Sequence, residues 1–397
     1  VKFDNQLRHA VRIIDAYHGG MPLHTWLKDF FRDHKQMGSR DRRLLSTLAY
    51  GFYRLGHAVA DLPADQRILA GLFLCNDEPN DLLGHFHPGW DATAPLADKI
   101  AFFRQQPEGA GFRLADIFPW KDELSADIDH EAFCLSFLRQ PDLFLRIRPA
   151  YETAVREKLT PIPYEFIPPF TLRLPNGFRV EEYFTPDREV VIQDYSSQQL
   201  GRFLAPSAAS STTPPGVTDP PDLAQRPSFW DACAGSGGKS ILAHDLYPTM
   251  ELTVSDIRES ILRNLRTRFR NAGIVKYHSF VADLTQPSVI PTADLILTDV
   301  PCTGSGTWSR TPEELYFFHP DKITHYSGIQ RKIVANIAPH LTPGAALIYC
   351  TCSVFKKENE AITTLIQNEL GMQQVMMENL KGYDHRADTL FAARFIR

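Results

Sequence analysis

Nowhere in the 397 residues is there a run of about 18 or more uncharged apolar residues, so no segment reads as a membrane-spanning helix. The opening residues, Val1-Lys2-Phe3-Asp4-Asn5-Gln6, lack the apolar core of a secretion signal; the chain reads as cytoplasmic and, starting on Val1, as trimmed at that end. Cysteine is scarce. The six present (Cys75, Cys134, Cys233, Cys302, Cys350 and Cys352) form no CxxC pair and no zinc-finger spacing, which excludes a disulfide framework and a structural metal, and no metal is expected. An unusual cysteine here is therefore chemical rather than structural. A basic excess is missing too: 42 Lys and Arg stand against 47 Asp and Glu, a net charge of −5, so a nucleic-acid partner would need a local concentration of positive charge. What is present, 43% hydrophobic residues over this length, is enough for two or three cores.

The first third reads as helical. Leu7, Ala10, Val11, Ile14 and Tyr17 recur at helical spacing and stop at Gly19-Gly20; Leu44, Leu45, Leu48, Ala49 and Phe52 make a second stripe, and short helices continue through Ile68–Leu74 and Ile100–Gln105. Lys28, Arg32, Lys35, Arg40, Arg42 and Arg43 form a basic cluster between the stripes. It either tracks phosphates or, because Asp29, Asp33 and Asp41 are interspersed, is a solvated helix face. From about Pro141 the texture becomes that of a small α/β module: strands at 143–148, 164–169 and 170–174, with a helix at Tyr151–Leu159. Residues 206–228 are rich in Ser, Thr, Pro, Ala and Asp and read as a flexible insertion, whose closure adds little entropy cost. Beyond it, Phe229–Cys233, Leu252–Asp256, His278–Asp283, Asp294–Asp299 and Ala345–Tyr349 alternate with helical segments, which predicts a parallel, doubly wound sheet with its ligand site at the carboxyl ends of the strands.

Every chemically suggestive motif falls at such an end. Asp231-Ala232-Cys233-Ala234-Gly235-Ser236-Gly237-Gly238-Lys239-Ser240 follows a strand and opens a helix, where glycines let backbone amides approach a ligand. A phosphate-binding P-loop would need Gly in place of Cys233, so that reading fails at its first residue. The next strand ends in Asp256, placed to accept hydrogen bonds from ribose hydroxyls, and the third in Asp283, placed for an adenine amino group. Singly, each aspartate is as ordinary as a turn or helix cap; a glycine-rich turn, Asp and Asp on three successive strands is more specific. The segment after Asp256 carries Ile257, Ile261, Leu262, Leu265 and Phe269 on one side, predicted to cover the sheet, with Arg263, Arg266 and Arg270 on another, solubilising or touching RNA.

The fourth strand delivers Asp299-Val300-Pro301-Cys302-Thr303-Gly304-Ser305-Gly306, and the fifth Tyr349-Cys350-Thr351-Cys352-Ser353. Enzymes that methylate exocyclic amines commonly carry Asp/Asn-Pro-Pro-Tyr/Phe at the fourth strand; sulfur in place of the aromatic ring implies other chemistry. Carbon 5 of cytosine is too poor a nucleophile to take a methyl group directly, so something must first add to carbon 6. A thiolate suits that addition. An acid near ring nitrogen 3 must stabilise the developing charge, and Asp299, protonated, is the candidate.

With these residues the sequence resembles the Sun-protein family of RNA 5-methylcytosine methyltransferases. The matching stretches are Gln193-Asp194-Tyr195-Ser196-Ser197-Gln198, Asp231 to Ser240, Asp256, Asp283, Asp299 to Gly306 with Thr307 to Glu313 after it, Thr351-Cys352-Ser353, Glu358-Asn359-Glu360 and Leu390-Phe391-Ala392-Ala393-Arg394-Phe395. The resemblance implies S-adenosylmethionine as cofactor, Cys352 as nucleophile and Cys302 as the group that assists product release. It implies cofactor contacts from Cys233, Ala234, Gly235, Ser236, Gly237, Gly238 and Lys239 and from Asp256, Asp283 and Asp299. Cys350 has no role in the family and reads as a buried strand residue. The chain departs from the family at Gly235-Ser236, usually Ala-Pro, and at Val300, usually Ala. Ser39-Arg40-Asp41-Arg42-Arg43-Leu44-Leu45 and Tyr50-Gly51-Phe52-Tyr53-Arg54 are similar to the family's NusB-like helical domain. The expected organisation is an all-helical NusB-like domain (1–138), a small α/β RNA-binding module (139–190) and a Rossmann-like methyltransferase domain (191–397). Expected partners are RNA, small-subunit ribosomal RNA first and transfer RNA as the alternative, with no membrane and a monomeric state; a non-catalytic RNA-binding assembly factor is the rival outside enzymology.

Overall fold

A computed structural model describes residues 2–160, 162–205, 227–287 and 291–397. Most of the insertion expected at 206–228 lies outside these residues; its last residue, Ser228, opens a strand rather than closing a loop. The chain divides into two compact units: Val1–Leu124 with Asp129–Pro141 and Thr307–His319, and Ser125–Ile128 with Asp142–Gly306 and Pro320–Arg397.

The first unit is helical: α1 (Lys2–Ala16), α2 (Leu23–Asp33), α3 (Ser39–Arg54), α4 (Ala64–Cys75), α5 (Asp81–Phe86), α6 (Leu96–Phe103) and α7 (His130–Phe137). Of the two expected stripes Leu7, Ala10, Tyr17, Leu45, Leu48, Ala49 and Phe52 are buried, whereas Val11, Ile14 and Leu44 are only half-buried and Ile13 takes the inward place on α1. The sequence reading passed over α2 because its charged residues masked the buried Leu23, Leu27 and Phe31. Among the described residues three cations sit deep in this unit on carbonyl oxygens: Arg54 Nη1 donates to Phe137 at 2.9 Å, Arg67 Nη2 to Gly56 at 2.6 Å, and Lys99 Nζ to Asn76 at 2.8 Å. The segment Thr307–His319 is built into the same unit, its Glu313 Oε1 accepting the Leu23 N–H at 2.9 Å. Among the described residues no helix is long and apolar enough to cross a membrane.

The second unit holds two sheets. β1 (Leu143–Ile147), β2 (Glu165–Ile167), β3 (Thr171–Leu174) and β4 (Val190–Ile192) form an antiparallel sheet in the order β2-β3-β1-β4, with α8 (Glu152–Lys158) over it. After the short α9 (Tyr195–Gln199) and α10 (Gly201–Leu204) come β5 (Ser228–Asp231), α11 (Gly238–Leu246), β6 (Glu251–Asp256), α12 (Glu259–Ala272), β7 (His278–Val281) and β8 (Ala293–Asp299). Then follow α13 (Pro312–Tyr316, in the helical unit), α14 (Asp321–Ile337), β9 (Leu341–Thr351), α15 (Glu360–Asn368), β10 (Gln373–Leu380) and β11 (Leu390–Ile396). The larger sheet runs β10-β11-β9-β8-β5-β6-β7. Its five strands from β5 to β9 are parallel, as expected, and two further strands extend it, β11 running antiparallel to both its neighbours β9 and β10. Only the short 3₁₀ turn Gly382–His385 lies between β10 and β11, so they pair as a hairpin.

Strand order reverses between β5 and β8, the point where an open α/β sheet leaves a crevice. On α12 Leu262, Leu265, Phe269 and Ala272 cover the sheet, whereas Ile257, expected among them, precedes the helix and is 58% exposed. The small sheet is fastened to the larger one by a buried ion-pair network: Arg146 and Arg148 each reach Asp245 of α11 at 2.6 Å, and Arg268 of α12 reaches Asp187 at 2.7 Å. Removing one member of such a network costs about 3–5 kcal/mol.

Candidate active site

The turn after β5 is shaped by close packing. Gly237 has φ +83°, and a Cβ there would lie 2.7 Å from Phe269 and 2.9 Å from Leu265 of α12, so only glycine admits both the left-handed backbone and the helix behind it. Asp256, at the end of β6, accepts the Gly235 N–H at 3.0 Å on one oxygen and the Arg258 N–H at 2.9 Å on the other, which orients the turn toward the sheet end. Asp283 accepts the Thr285 N–H and hydroxyl at 3.0 and 2.7 Å, and these bonds hold its carboxyl below the usual carboxylate range.

Between these ends lies a cavity of about 620 Å³ walled by Cys233, Gly235, Asp256, Asp283, Asp299 and Cys302. The exposed Ile257 also faces it, which explains an apolar residue left off the helix. Ala234, Ser236, Gly237, Gly238, Lys239 and Cys352 are not on its wall. Ser236 is instead held from behind, its carbonyl and hydroxyl taking hydrogen bonds from Arg268 Nη1 at 3.2 and 3.1 Å.

Lys239, the second residue of α11, reaches across to Asp299 at the end of β8, Nζ to Oδ2 2.6 Å. Burial alone would lower the lysine's pKa, but the Asp299 charge and the sulfurs of Cys352 and Cys350 outweigh it and push the value up. The cysteines from β8 and β9 meet: hydrogen bonding to Cys352, together with burial, drives the Cys302 pKa well up. Both are half-buried. Cys350 is buried, as expected, yet its sulfur lies 3.6 Å from Asp299 Oδ1 and so adjoins the site.

Beneath the two cysteines is a polar brace that residue-by-residue reading missed. Ser353 Oγ contacts the hydroxyls of Thr303 at 3.3 Å and Ser305 at 3.2 Å, the Thr303 N–H donates to Glu358 Oε2 at 3.0 Å, and Asn359 Nδ2 donates to the Ser353 carbonyl at 2.9 Å. The signal was a hydroxyl residue directly after each cysteine, and the fold was needed to show that they meet.

Asp231 closes β5 inside the core, with Ser240 Oγ donating to it at 2.6 Å and its other oxygen unpartnered. Burial, with the Asp299 charge adding, raises its pKa from 3.8 to about 7. The folded state thus keeps a proton that the unfolded state has lost, and this group makes stability fall as pH rises from about 4 to 7. Asp231→Asn should flatten that fall and melt above the wild type at pH 8, by on the order of 1–4 kcal/mol in chemical unfolding. A wild-type advantage growing with pH would contradict it.

Residues 222–392 match the family model described as 16S rRNA methyltransferase RsmB/F. Over this stretch, less than half of the chain, the sequence is similar to the RsmB/F methyltransferase family. The probable ribosomal RNA small subunit methyltransferase B of Synechocystis is 26% identical over 249 residues, covering 58% of this chain and 51% of that one. The ribosomal RNA small subunit methyltransferase B of Salmonella arizonae is 27% identical over 266 residues, 63% of this chain and 53% of that one. The chain spans about half the length of these relatives. In fold, the chain is similar to the crystal structure of PH0851 (TM-score 0.67, 18% identity, 98% of this chain and 97% of that one). It is also similar to NSun6 from Pyrococcus horikoshii, solved with SFG (TM-score 0.55, 14% identity, 75% and 97%).

Proposed function

We propose that this chain is an S-adenosylmethionine-dependent RNA methyltransferase that modifies carbon 5 of a cytosine through a covalent adduct on Cys352. The observation that carries the reading is the meeting of two thiols beside the Lys239–Asp299 ion pair, with Cys302 on the cavity wall. The cavity suits the cofactor: about 620 Å³ is within the range of small-molecule sites, Asp256 offers a carboxylate to ribose hydroxyls, Asp283 lies where an adenine amine would come, and Ile257 gives an apolar surface for the base. When bound there, the cofactor supplies an electrophilic methyl group.

The chain's own residues do the rest. Cys352 adds to carbon 6, forming a C–S bond and moving the ring's π electrons toward nitrogen 3. Asp299 and Lys239, 2.6 Å apart, supply the proton that this nitrogen takes up, Asp299 passing it on and Lys239 making it good. Asp299 is thus the acid only as one half of an ion pair, a refinement of the lone protonated carboxyl expected from sequence. Carbon 5, now enamine-like, takes the methyl group. A base then removes the carbon 5 proton, its electrons restore the ring double bond, the C–S bond breaks, Cys352 leaves as a thiolate, and nitrogen 3 returns its proton to the Asp299–Lys239 pair. Cys302, in contact with Cys352, is the base for that last step.

The relatives' names support small-subunit ribosomal RNA as substrate. Cys302→Ala, incubated with S-adenosylmethionine and a small-subunit RNA transcript, should accumulate a protein–RNA adduct that survives denaturing electrophoresis, and further loss of Cys352 should abolish it. An adduct that persists in the double variant overturns the assignment; one formed only with transfer RNA moves the substrate and keeps the chemistry.

A further inference from the structure

Cys302 can act as a base only after giving up its own proton, and the structure offers a place for that proton. Glu358 follows β9 and has no solvent exposure. Its Oε2 accepts the N–H of Thr303, the residue after Cys302, at 3.0 Å and an amide hydrogen of Gln330 at 3.4 Å, while Gln330 also donates to the Pro301 carbonyl, the residue before Cys302, at 2.9 Å. The carboxyl is thereby fastened to both sides of the cysteine, yet its Oε1 has no hydrogen-bond partner. A buried carboxyl oxygen without a partner is costly, and a fold that only needed to brace a loop would be served as well by an amide. The Thr303 and Ser353 hydroxyls lie against the same carboxyl, linking it to the residues that follow both cysteines.

Resting on the two-cysteine reading above, we infer that Glu358 takes the proton Cys302 releases before Cys302 deprotonates carbon 5. The Cys302 S–H bond breaks and a Glu358 O–H bond forms, by way of the Thr303 and Ser353 hydroxyls. The resulting thiolate removes the carbon 5 proton and returns to the thiol; the C–S bond to Cys352 breaks as the ring double bond forms; Glu358 then loses its proton to solvent. One proton leaves for each methyl group added. Burial raises the Glu358 pKa to about 7, which narrows the uphill gap to the Cys302 thiol compared with an ordinary carboxylate. The titratable groups that feel its charge are Cys302 and Tyr349, both pushed up, and the Tyr349 hydroxyl donates to the Glu358 carbonyl at 2.5 Å.

The test measures adduct formation and adduct release separately in single turnovers, from pH 5.5 to 8.5. In the wild type, release should rise with pH through about 7, as Glu358 becomes able to accept. Glu358→Gln, which keeps the shape and an acceptor for Thr303, should slow release about 10- to 100-fold and erase that rise, while adduct formation stays within about twofold. Glu358→Asp should restore the pH dependence in part. Release by Glu358→Gln at the wild-type rate and with the wild-type pH profile, or equal slowing of both steps, overturns the inference. The Cys302→Ala control keeps the two readings apart: no adduct there sinks the covalent scheme, whereas an adduct there with unaltered release in Glu358→Gln sinks only the role of Glu358.

Discussion

Cys352→Ala is expected to lose methyl transfer by about 10⁴-fold or more, measured as labelled methyl incorporated into RNA, while cofactor binding by calorimetry stays within about twofold. The size follows from the chemistry: without addition at carbon 6 there is no enamine, and the Lys239–Asp299 pair can polarise the ring but cannot create a nucleophilic carbon 5. The separation from binding follows from geometry, because Cys352 is not on the wall of the cavity that Asp256 and Asp283 shape. Truncating a half-buried thiol should cost stability only about 1 kcal/mol, so lost activity could not be ascribed to unfolding. An exocyclic amine methyltransferase on the same fold needs no thiol, and Cys352→Ala would leave it active. A non-catalytic assembly factor would show neither incorporation nor the adduct expected of Cys302→Ala.

Much of this was legible before any coordinates. Strand–helix alternation after residue 228 gave the five parallel strands, because parallel strands buried on both faces read as short apolar runs such as Leu295-Ile296-Leu297. The antiparallel β10 and β11 were harder. Gln373 to Leu380 is mostly polar or only partly buried, a texture that apolar runs do not flag, and Leu390–Ile396 was noted for its residues rather than its conformation. The cofactor turn and its aspartates were legible because each ends a strand, and chain order places such ends together. The convergence of Cys302 and Cys352 was legible in the same way; what escaped were the side-chain partners that distant segments bring together. Cys350 looked inert in its strand and proved to touch Asp299; Lys239 read as a cofactor contact and proved to be that aspartate's counter-ion. The brace of Thr303, Ser305, Ser353, Glu358 and Asn359 joins residues about fifty positions apart, beyond any local pattern.

The same dependence on distant contact makes Gly306 the position where the smallest change should do most structural harm. Its N–H donates to the Cys352 carbonyl at 2.8 Å and its carbonyl accepts the Thr389 N–H at 2.9 Å, so one residue ties the loop carrying Cys302 to the end of β9 and to the entry of β11. A Cβ there would sit 1.9 Å from the Thr389 carbonyl oxygen and 3.1 Å from that of Cys352, and both obstacles are backbone, which cannot swing aside as a side chain would. Gly306→Ala must therefore separate the strands or break these bonds, at a cost of about 3 kcal/mol or more, equivalent to a melting temperature lower by about 6–12 °C. Activity should fall further than stability explains, because the displacement falls between the two sulfurs. At a temperature where the variant is still folded, Cys302→Ala combined with Gly306→Ala should form far less adduct than Cys302→Ala alone, with cofactor affinity retained since β5, β6 and β7 are untouched. Wild-type melting and undiminished adduct would mean that the junction yields freely and that the contact of the two cysteines does not depend on it.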